Sequence, residues 1–427
     1  LKCAAFLFFF SYTLPAALPC RSMAQMWKVV GGTESGGILV RTDKDLKSPE
    51  ASPSRVSSGA ILQELELIGS RLKFRLVEGT GPQEGWVSLS LKEKPLVEKT
   101  DYKIPETPAP ASGELAPCAL LFPGQGSQYV GMLKDMKDNP AVKEMLEKSK
   151  EILGWDVLDL CLNGPEEKLA ETKYTQPCMF IGGLAGREKL RATKADHADK
   201  PMYVAGLSLG EYTALCAAGV FSFEDGLKLV KLRGEAMQEA AETGGKQSML
   251  SVAGLDGTKL AALCAEAQKE EGAGATCSIS NALFPNGYSC GGTEKAIGIL
   301  KDKAEKAGAL QAKVLKTGGA FHTALMQPAQ TKLNEALELT RSKMSPPTSN
   351  VFMNATAEMI PAGGSTDKIV ENLQKQLTNN VLWEPSMVAM IKAGCTQYYE
   401  CGPMKQLKAM MKRIDQKIWK TTENVDV

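Results

Sequence analysis

The sequence is short of histidine. Its 427 residues contain 2, His197 and His322, so a zinc centre built on the usual His and Cys pairs has little to draw on, and no metal site is expected. Cysteine occurs 11 times but never as a CxxC pair. Single cysteines in odd number, several inside apolar runs such as "ALCAAGV", read as reduced and buried side chains. Excess charge of one sign is also missing. Lys and Arg total 50 against 49 Asp and Glu, a formal net charge of +1, which removes any bulk electrostatic case for nucleic acid or an anionic membrane. Only "CAAFLFFFSYTLPAALP" (residues 3–19) is long and apolar, and it is shorter than the roughly 20 residues a bilayer span requires. With Lys2 before it and Cys20-Arg21 after it, residues 1–25 read either as a targeting leader or as untranslated sequence ahead of Met23 or Met26. In both readings the mature protein carries no membrane segment.

What remains is an ordinary globular composition, 43% hydrophobic and 23% charged, in a chain long enough for two to three domains. Residues 26–97 hold short strand-like runs, "MWKVV", "GGILVR", "ILQELELIG", "RLKFRLVEG" and "GWVSLSL", separated by glycine and charged turns. In "RLKFRLV", Leu72, Phe74 and Leu76 alternate with Lys73 and Arg75, as a half-buried strand requires. The expectation is a small all-β module of five strands resembling an SH3-like barrel, structural or docking in role. Residues 98–117 are rich in proline and lack a hydrophobic period, which marks a semi-rigid linker. From residue 118 to about 420, buried strands such as "CALLFPG" and "MYVAG" alternate with helical periods such as "AVKEMLEKSKEILG". That alternation predicts an α/β-hydrolase-like body with a mostly parallel sheet. Within it, residues 246–316 run strand, helix, strand, strand, helix, strand, the order of a ferredoxin-like unit. An inserted small subdomain of this kind places a ligand cleft at its junction with the body.

Chemistry concentrates at "VAGLSLGEYTAL". Ser208 lies where a buried strand turns into a helix, flanked by Gly206 and Gly210. Without Cβ atoms at those positions, strand and helix pack closely and the serine is pushed outward above the helix N-terminus. The amide of Leu209 points to the same place and supplies half of an oxyanion hole. Such a serine needs a base, and the choice is narrow. His197, in the charged "TKADHADK", reads as a surface residue. His322, in "KTGGAFHTALMQPA", falls in a loop between the small subdomain and the next helix, from which it can reach across the cleft. The glycine loop "LLFPGQGSQYVGM" also follows a strand and offers amides for the other half of the oxyanion hole. It lacks the GK[ST] ending and the GxGxxG spacing of phosphate and dinucleotide loops. Arg233, in "GLKLVKLRGEAMQEAA", neighbours a stripe of Leu227, Val230 and Met237. Spacing alone favours a side chain that snorkels to solvent, over a bidentate partner for a substrate carboxylate.

Six stretches in this order, "FPGQGSQYVGM", "GLSLGEYTAL", "KLRGEAMQEAA", "GAFHTALMQPA", "QLTNNVLWEPSM" and "YYECGPMKQLKAMMKRI", resemble the malonyl-CoA:acyl-carrier-protein transacylases of type II fatty-acid synthesis. The resemblance covers residues 118 to 420 and leaves the first hundred aside. It implies that Ser208 carries the acyl group as an ester, that His322 is general base and then general acid, and that the backbone carbonyl of Gln376 orients the histidine. It also implies that the amides of Gln125 and Leu209 form the oxyanion hole and that Arg233 grips the malonyl carboxylate, against the spacing reading. Met237 and Asn281 would line the pocket. Phe321, ahead of His322, resembles the malonyl-preferring "AFH" pattern of related polyketide acyltransferases, and its ring leaves little room for an α-methyl group. Many family members have His where this chain has Leu207, a position that takes no part in proton transfer.

The activity so implied is ping-pong transfer of malonyl from malonyl-CoA to the phosphopantetheine thiol of holo acyl carrier protein, with no bound cofactor. An imidazole titrating near its free value of about 6.5 suits both proton steps. The leader and the added β module point to a plastid, otherwise to the cytoplasm. Two rivals stand beside this reading: a serine thioesterase or hydrolase of the α/β-hydrolase kind, and a non-catalytic scaffold that docks carrier proteins. The lysines of "MKQLKAMMKRIDQK" either meet an acidic carrier or form a solvated face. The partner of the β module, and the choice between fatty-acid and polyketide carriers, stay open.

Overall fold

The computed structural model describes residues 25–82, 84–92, 94–102 and 116–427, without the side chain of Ser52. The leader, up to residue 24, and most of the proline-rich linker fall outside these residues. The described residues form two compact units, one ending at residue 102 and the other starting at 116.

The first unit is a seven-stranded antiparallel sheet in the order Glu50–Val56, Ile38–Arg41, Glu84–Ser88, Arg71–Glu78, Ile61–Ile68, Met26–Val29, Val97–Thr100. Leu72, Phe74 and Leu76 are buried, as their alternation requires, and join Trp27, Val40, Val56, Leu62 and Val87 in one core. The sheet has two strands beyond the expected five, and Ser90–Leu91 pairs with Lys94–Pro95 in a separate two-stranded ladder. Glu50–Val56 is hidden in the sequence by Pro53, but it lies at the sheet edge, where a missing N–H costs no ladder bond. Val97–Thr100 pairs with Met26–Val29, so residues 98–100, assigned above to the linker, belong to the sheet.

The second unit is mixed α/β. Its larger sheet runs Met359–Ile360, Asn350–Phe352, Tyr203–Gly206, Cys118–Phe122, Gln397–Cys401, Thr422–Val425. Every pairing is parallel except that of Met359–Ile360. The central strands Cys118–Phe122 and Tyr203–Gly206 are buried on both faces, hence their unbroken apolar runs. Leu120, Phe122 and Val204 point into one core, and Ala119, Leu121, Tyr203 and Ala205 into the other. Thr422–Val425 extends the sheet beyond residue 420, where the sequence pattern ends.

The second sheet runs Gln311–Val314, Gln247–Ala253, Gly287–Thr293, Cys277–Phe284, Val381–Leu382. Its first four strands alternate along the chain with the helices Gly257–Glu271 and Glu294–Lys306 in the expected order. Leu250, Val252, Leu260, Ile297 and Leu300 give it a core of its own. The fifth strand, Val381–Leu382, comes from far along the chain and pairs in parallel with Cys277–Phe284. Two residues carry no period that a sequence could display. Among the described residues no helix is long and apolar enough to cross a membrane. Their nine cysteines are free, and eight of them are buried.

Candidate active site

Strand Tyr203–Gly206 leads within two residues into helix Leu209–Ala217, and Ser208 is the turn between them. The turn is tight because its glycines allow it. A Cβ on Gly206 would come within 1.9 Å of the Gly210 carbonyl, and one on Gly210 within 2.0 Å of the Phe122 oxygen. Ser208 itself takes φ 55° and ψ −103°, a conformation that costs a non-glycine residue on the order of 1–3 kcal/mol. Three bonds hold it there. Its amide donates to Asn354 Oδ1 at 2.7 Å, Asn354 Nδ2 donates to the Gly206 carbonyl at 2.8 Å, and Gln376 Nε2 donates to the Ser208 carbonyl at 2.8 Å.

Ser208 Oγ lies 2.7 Å from His322 Nε2. His322 Nδ1 lies 2.8 Å from the backbone carbonyl of Gln376. A carbonyl can only accept, so Nδ1 carries the proton and Nε2 offers its lone pair to the serine hydroxyl. Burial first, and the charge of Arg233 second, push the His322 pKa down to about 4, against the Gln376 carbonyl, which raises it. The sequence-based expectation of a value near the free imidazole therefore does not hold. A loop residue facing a cleft looks open in sequence, whereas here it is 3% exposed beside a buried cation.

Arg233 contradicts the snorkelling expectation more plainly. It lies in helix Phe223–Thr243, is fully buried, and has its guanidinium over the Tyr212 ring. It donates to Gln176 Oε1 at 2.7 Å, Gln376 Oε1 at 2.9 Å and Ser208 Oγ at 3.0 Å, and its Nε–H has no acceptor among the described residues. The apolar stripe of this helix faces the body's core, and the arginine follows it inward.

These groups open onto a cavity of about 260 Å³ between the two sheets of the second unit. Gln125, Met237, Asn281, Phe321 and Ser289 line it with Ser208, Arg233 and His322. The Gln125 side chain donates to Thr172 Oγ1 at 3.2 Å, which fixes the glycine loop. The backbone amides of Gln125 and Leu209 have no acceptor among the described residues. Met237 is buried and receives a bond from Gln176 Nε2 at 3.2 Å; Asn281 donates to Ser289 Oγ. No group of His, Cys, Asp or Glu among the described residues could hold a metal ion. The other histidine, His197, is half-buried and not a free surface residue. Its Nδ1 lies 2.6 Å from the Tyr399 hydroxyl, because the helix Ala195–Asp199 packs that flank against the sheet.

Sequence reasoning missed Gln176, Asn354 and Glu211. Glu211 stands inside the serine motif, and Gln176 is a buried residue directly ahead of the apolar "PCMFIGGLAG" of its helix. A polar residue in an apolar setting was the available signal for both.

A serine on a strand-to-helix elbow, bonded to a neutral imidazole, defines an enzyme of the acyl-transferring class, and residues 119–359, more than half the chain, match the family described as acyl transferase domain. The chain is 37% identical over 316 residues to the mitochondrial malonyl-CoA-acyl carrier protein transacylase of Homo sapiens, covering 72% of this chain and 80% of that protein. It is 37% identical over 297 residues to the malonyl CoA-acyl carrier protein transacylase of Escherichia coli (strain K12), covering 69% and 92%. The solved transacylase of Coxiella burnetii superposes with a TM-score of 0.66 at 30% identity, over 73% of this chain and 94% of that one. A malonyl-transacylase solved in complex with a type II polyketide acyl-carrier protein gives 0.64 at 32% identity, over 72% and 95%. The chain belongs to the malonyl-CoA-acyl carrier protein transacylase family.

Proposed function

We propose that this chain moves a malonyl group from malonyl-CoA to the phosphopantetheine thiol of an acyl carrier protein, by way of an ester on Ser208. The observation that carries the reading is Arg233: a buried guanidinium against the Ser208 hydroxyl, with one N–H that has no acceptor among the described residues. A buried unpaired donor is costly unless a ligand answers it. A malonyl carboxylate is such a ligand, and a hydrolase of uncharged acyl groups has no use for the arrangement.

The steps follow from the bonds. His322 Nε2 takes the Ser208 proton as Oγ attacks the thioester carbonyl. The amides of Gln125 and Leu209 and the N-terminus of helix Leu209–Ala217 stabilise the oxyanion. The tetrahedral adduct collapses, the C–S bond breaks, and the imidazolium returns its proton to the departing thiolate. The carrier thiol then repeats the sequence in reverse and leaves Ser208 free. The low pKa of His322 makes its imidazolium a strong acid toward a thiolate, whose own pKa is about 8.5. A carboxylate paired with Arg233 offsets the second cause of that depression, so the base strengthens when the malonyl group is seated. Gln376 orients the ring through its carbonyl. Met237, Asn281 and Phe321 shape the acyl pocket, with Phe321 set against an α-methyl group. These steps draw on no cofactor.

The finer architecture belongs to the same reading: an α/β-hydrolase-like body from residue 118 that takes in the strand Thr422–Val425, a ferredoxin-like insert at 246–316, and a β module over 26–100 of SH3-like type that docks a partner. A plastid destination rests on the apolar leader, and a fluorescent fusion of residues 1–117 tests it against mitochondrion and cytosol.

Arg233→Ala tests the function. Malonyl loading is expected to fall by about 10²-fold, the loss of a charged pair, while acetyl loading persists or rises. Unchanged malonyl loading contradicts the role of Arg233.

A further inference from the structure

Beneath Ser208 lies a carboxylate that the steps above do not use. Glu211, in the first turn of the elbow helix, is 1% exposed. Its Oε1 accepts the Asn354 backbone N–H at 2.6 Å, and its Oε2 accepts Gln376 Nε2 at 2.5 Å. Those two donors belong to the groups that hold the site. Asn354 fixes the Ser208 amide. Gln376 bonds the Ser208 carbonyl with the same Nε2, gives its backbone carbonyl to His322, and presents Oε1 to Arg233.

The side-chain amide of Gln376 has two ends, and Glu211, together with the Ser208 carbonyl, decides which faces the arginine. A carboxylate can only accept, so it takes the NH2 end and leaves the oxygen end to the guanidinium. Arg233 depends on that choice, since its three partners, Gln176, Gln376 and Ser208, are all neutral oxygens. Were the amide reversed, an N–H would face the guanidinium and displace it from its seat. Glu211 is also the nearby negative charge that acts on Arg233, so it balances a buried cation through one intervening amide.

The geometry points to Glu211 as a positioning residue that selects a carboxylate-bearing acyl group, by fixing the Gln376 side chain and through it the guanidinium of Arg233. This rests on the reading of Arg233 as the malonyl clamp. It predicts that replacing the carboxylate with an amide damages malonyl loading more than acetyl loading. A glutamine at 211 can accept from only one of the two donors, and the Gln376 amide, then held by the Ser208 carbonyl alone, loses its fixed orientation. Protonation of Glu211 has the same consequence, because a carboxylic O–H is also a donor. Burial pushes its pKa up to about 7, with the bonds from Asn354 and Gln376 and the charge of Arg233 pulling the other way. The other groups around it do not titrate in that range: Arg233 stays cationic, Tyr212 is pushed up and stays neutral, and His322 at about 4 stays neutral.

The test compares single-turnover loading from malonyl-CoA and acetyl-CoA in wild type, Glu211→Gln, Glu211→Asp and Arg233→Ala. In Glu211→Gln the malonyl rate should fall about 10-fold or more beyond any fall in the acetyl rate, the worth of a charge-assisted bond. Glu211→Asp, which keeps the carboxylate, should recover most of that ratio. In wild type the malonyl-to-acetyl ratio should fall between about pH 8 and about pH 5.5, a range in which the malonyl carboxylate itself remains ionised. Equal losses for both substrates in Glu211→Gln, or no loss, overturn the proposal. If that variant does not fold, a ratio independent of pH in wild type overturns it. An Arg233→Ala enzyme with an unaltered ratio refutes the clamp itself; a collapsed ratio there beside an intact one in Glu211→Gln refutes only the role of Glu211.

Discussion

The two histidines of this chain sit in different surroundings, and the difference shows what leaves one imidazole neutral with a free lone pair aimed at a serine hydroxyl. His197 lies on a flank of the second unit, half-buried, with Nδ1 against the Tyr399 hydroxyl. A hydroxyl can donate or accept, so that bond leaves the tautomer open. His322 lies 3% exposed between Ser208 and the Gln376 carbonyl. The carbonyl fixes the tautomer, burial and Arg233 keep the ring neutral, and the remaining lone pair has one partner, the hydroxyl of an elbow serine. Side-chain chemistry is the same in both. The partner on the second nitrogen and the group facing the first differ.

Three substitutions sharpen this contrast. His322→Ala should cost the most, about 10⁴-fold in acyl-enzyme formation for loss of the general base, measured by quenched-flow loading; a loss under tenfold would put the two histidines on a level. Gly210→Ala comes next. It leaves both imidazoles in place but pushes a Cβ to 2.0 Å from the Phe122 oxygen, so the elbow must open. Misplacing Ser208 by about an ångström costs roughly 10²-fold, with a loss of about 1–3 kcal/mol in stability from overpacking. Loading and thermal melting read the two effects, and a variant with wild-type loading would show that the elbow's closeness is dispensable. His197→Asn should cost least: loading stays within about twofold while stability falls by about 1 kcal/mol, one hydrogen bond's worth. A large loss of loading there would erase the contrast.

Much of this was legible in the sequence, and the rest was not for definite reasons. The alternating strands and helices of the second unit follow from local periods, and so do Ser208 at its elbow and His322 in its loop. The strand Glu50–Val56 was masked by Pro53, and Val381–Leu382 is too short to have a period. Spacing misplaced Arg233 because it lies beside the apolar stripe of a helix that faces the core, where the structure buries it. Glu211, Asn354 and Gln176 were invisible as a set, because their bonds join positions 143 and 57 residues apart. Local pattern places each of them on an element. The joining of those elements is tertiary.

The central claim is an acyl group carried on Ser208, and the intact mass of the protein after brief exposure to malonyl-CoA tests it most directly, with Ser208→Ala alongside. The account predicts a malonyl-sized gain in the native chain and none in the variant. The same gain in both, or release of free coenzyme A with no gain in the native chain, would contradict it.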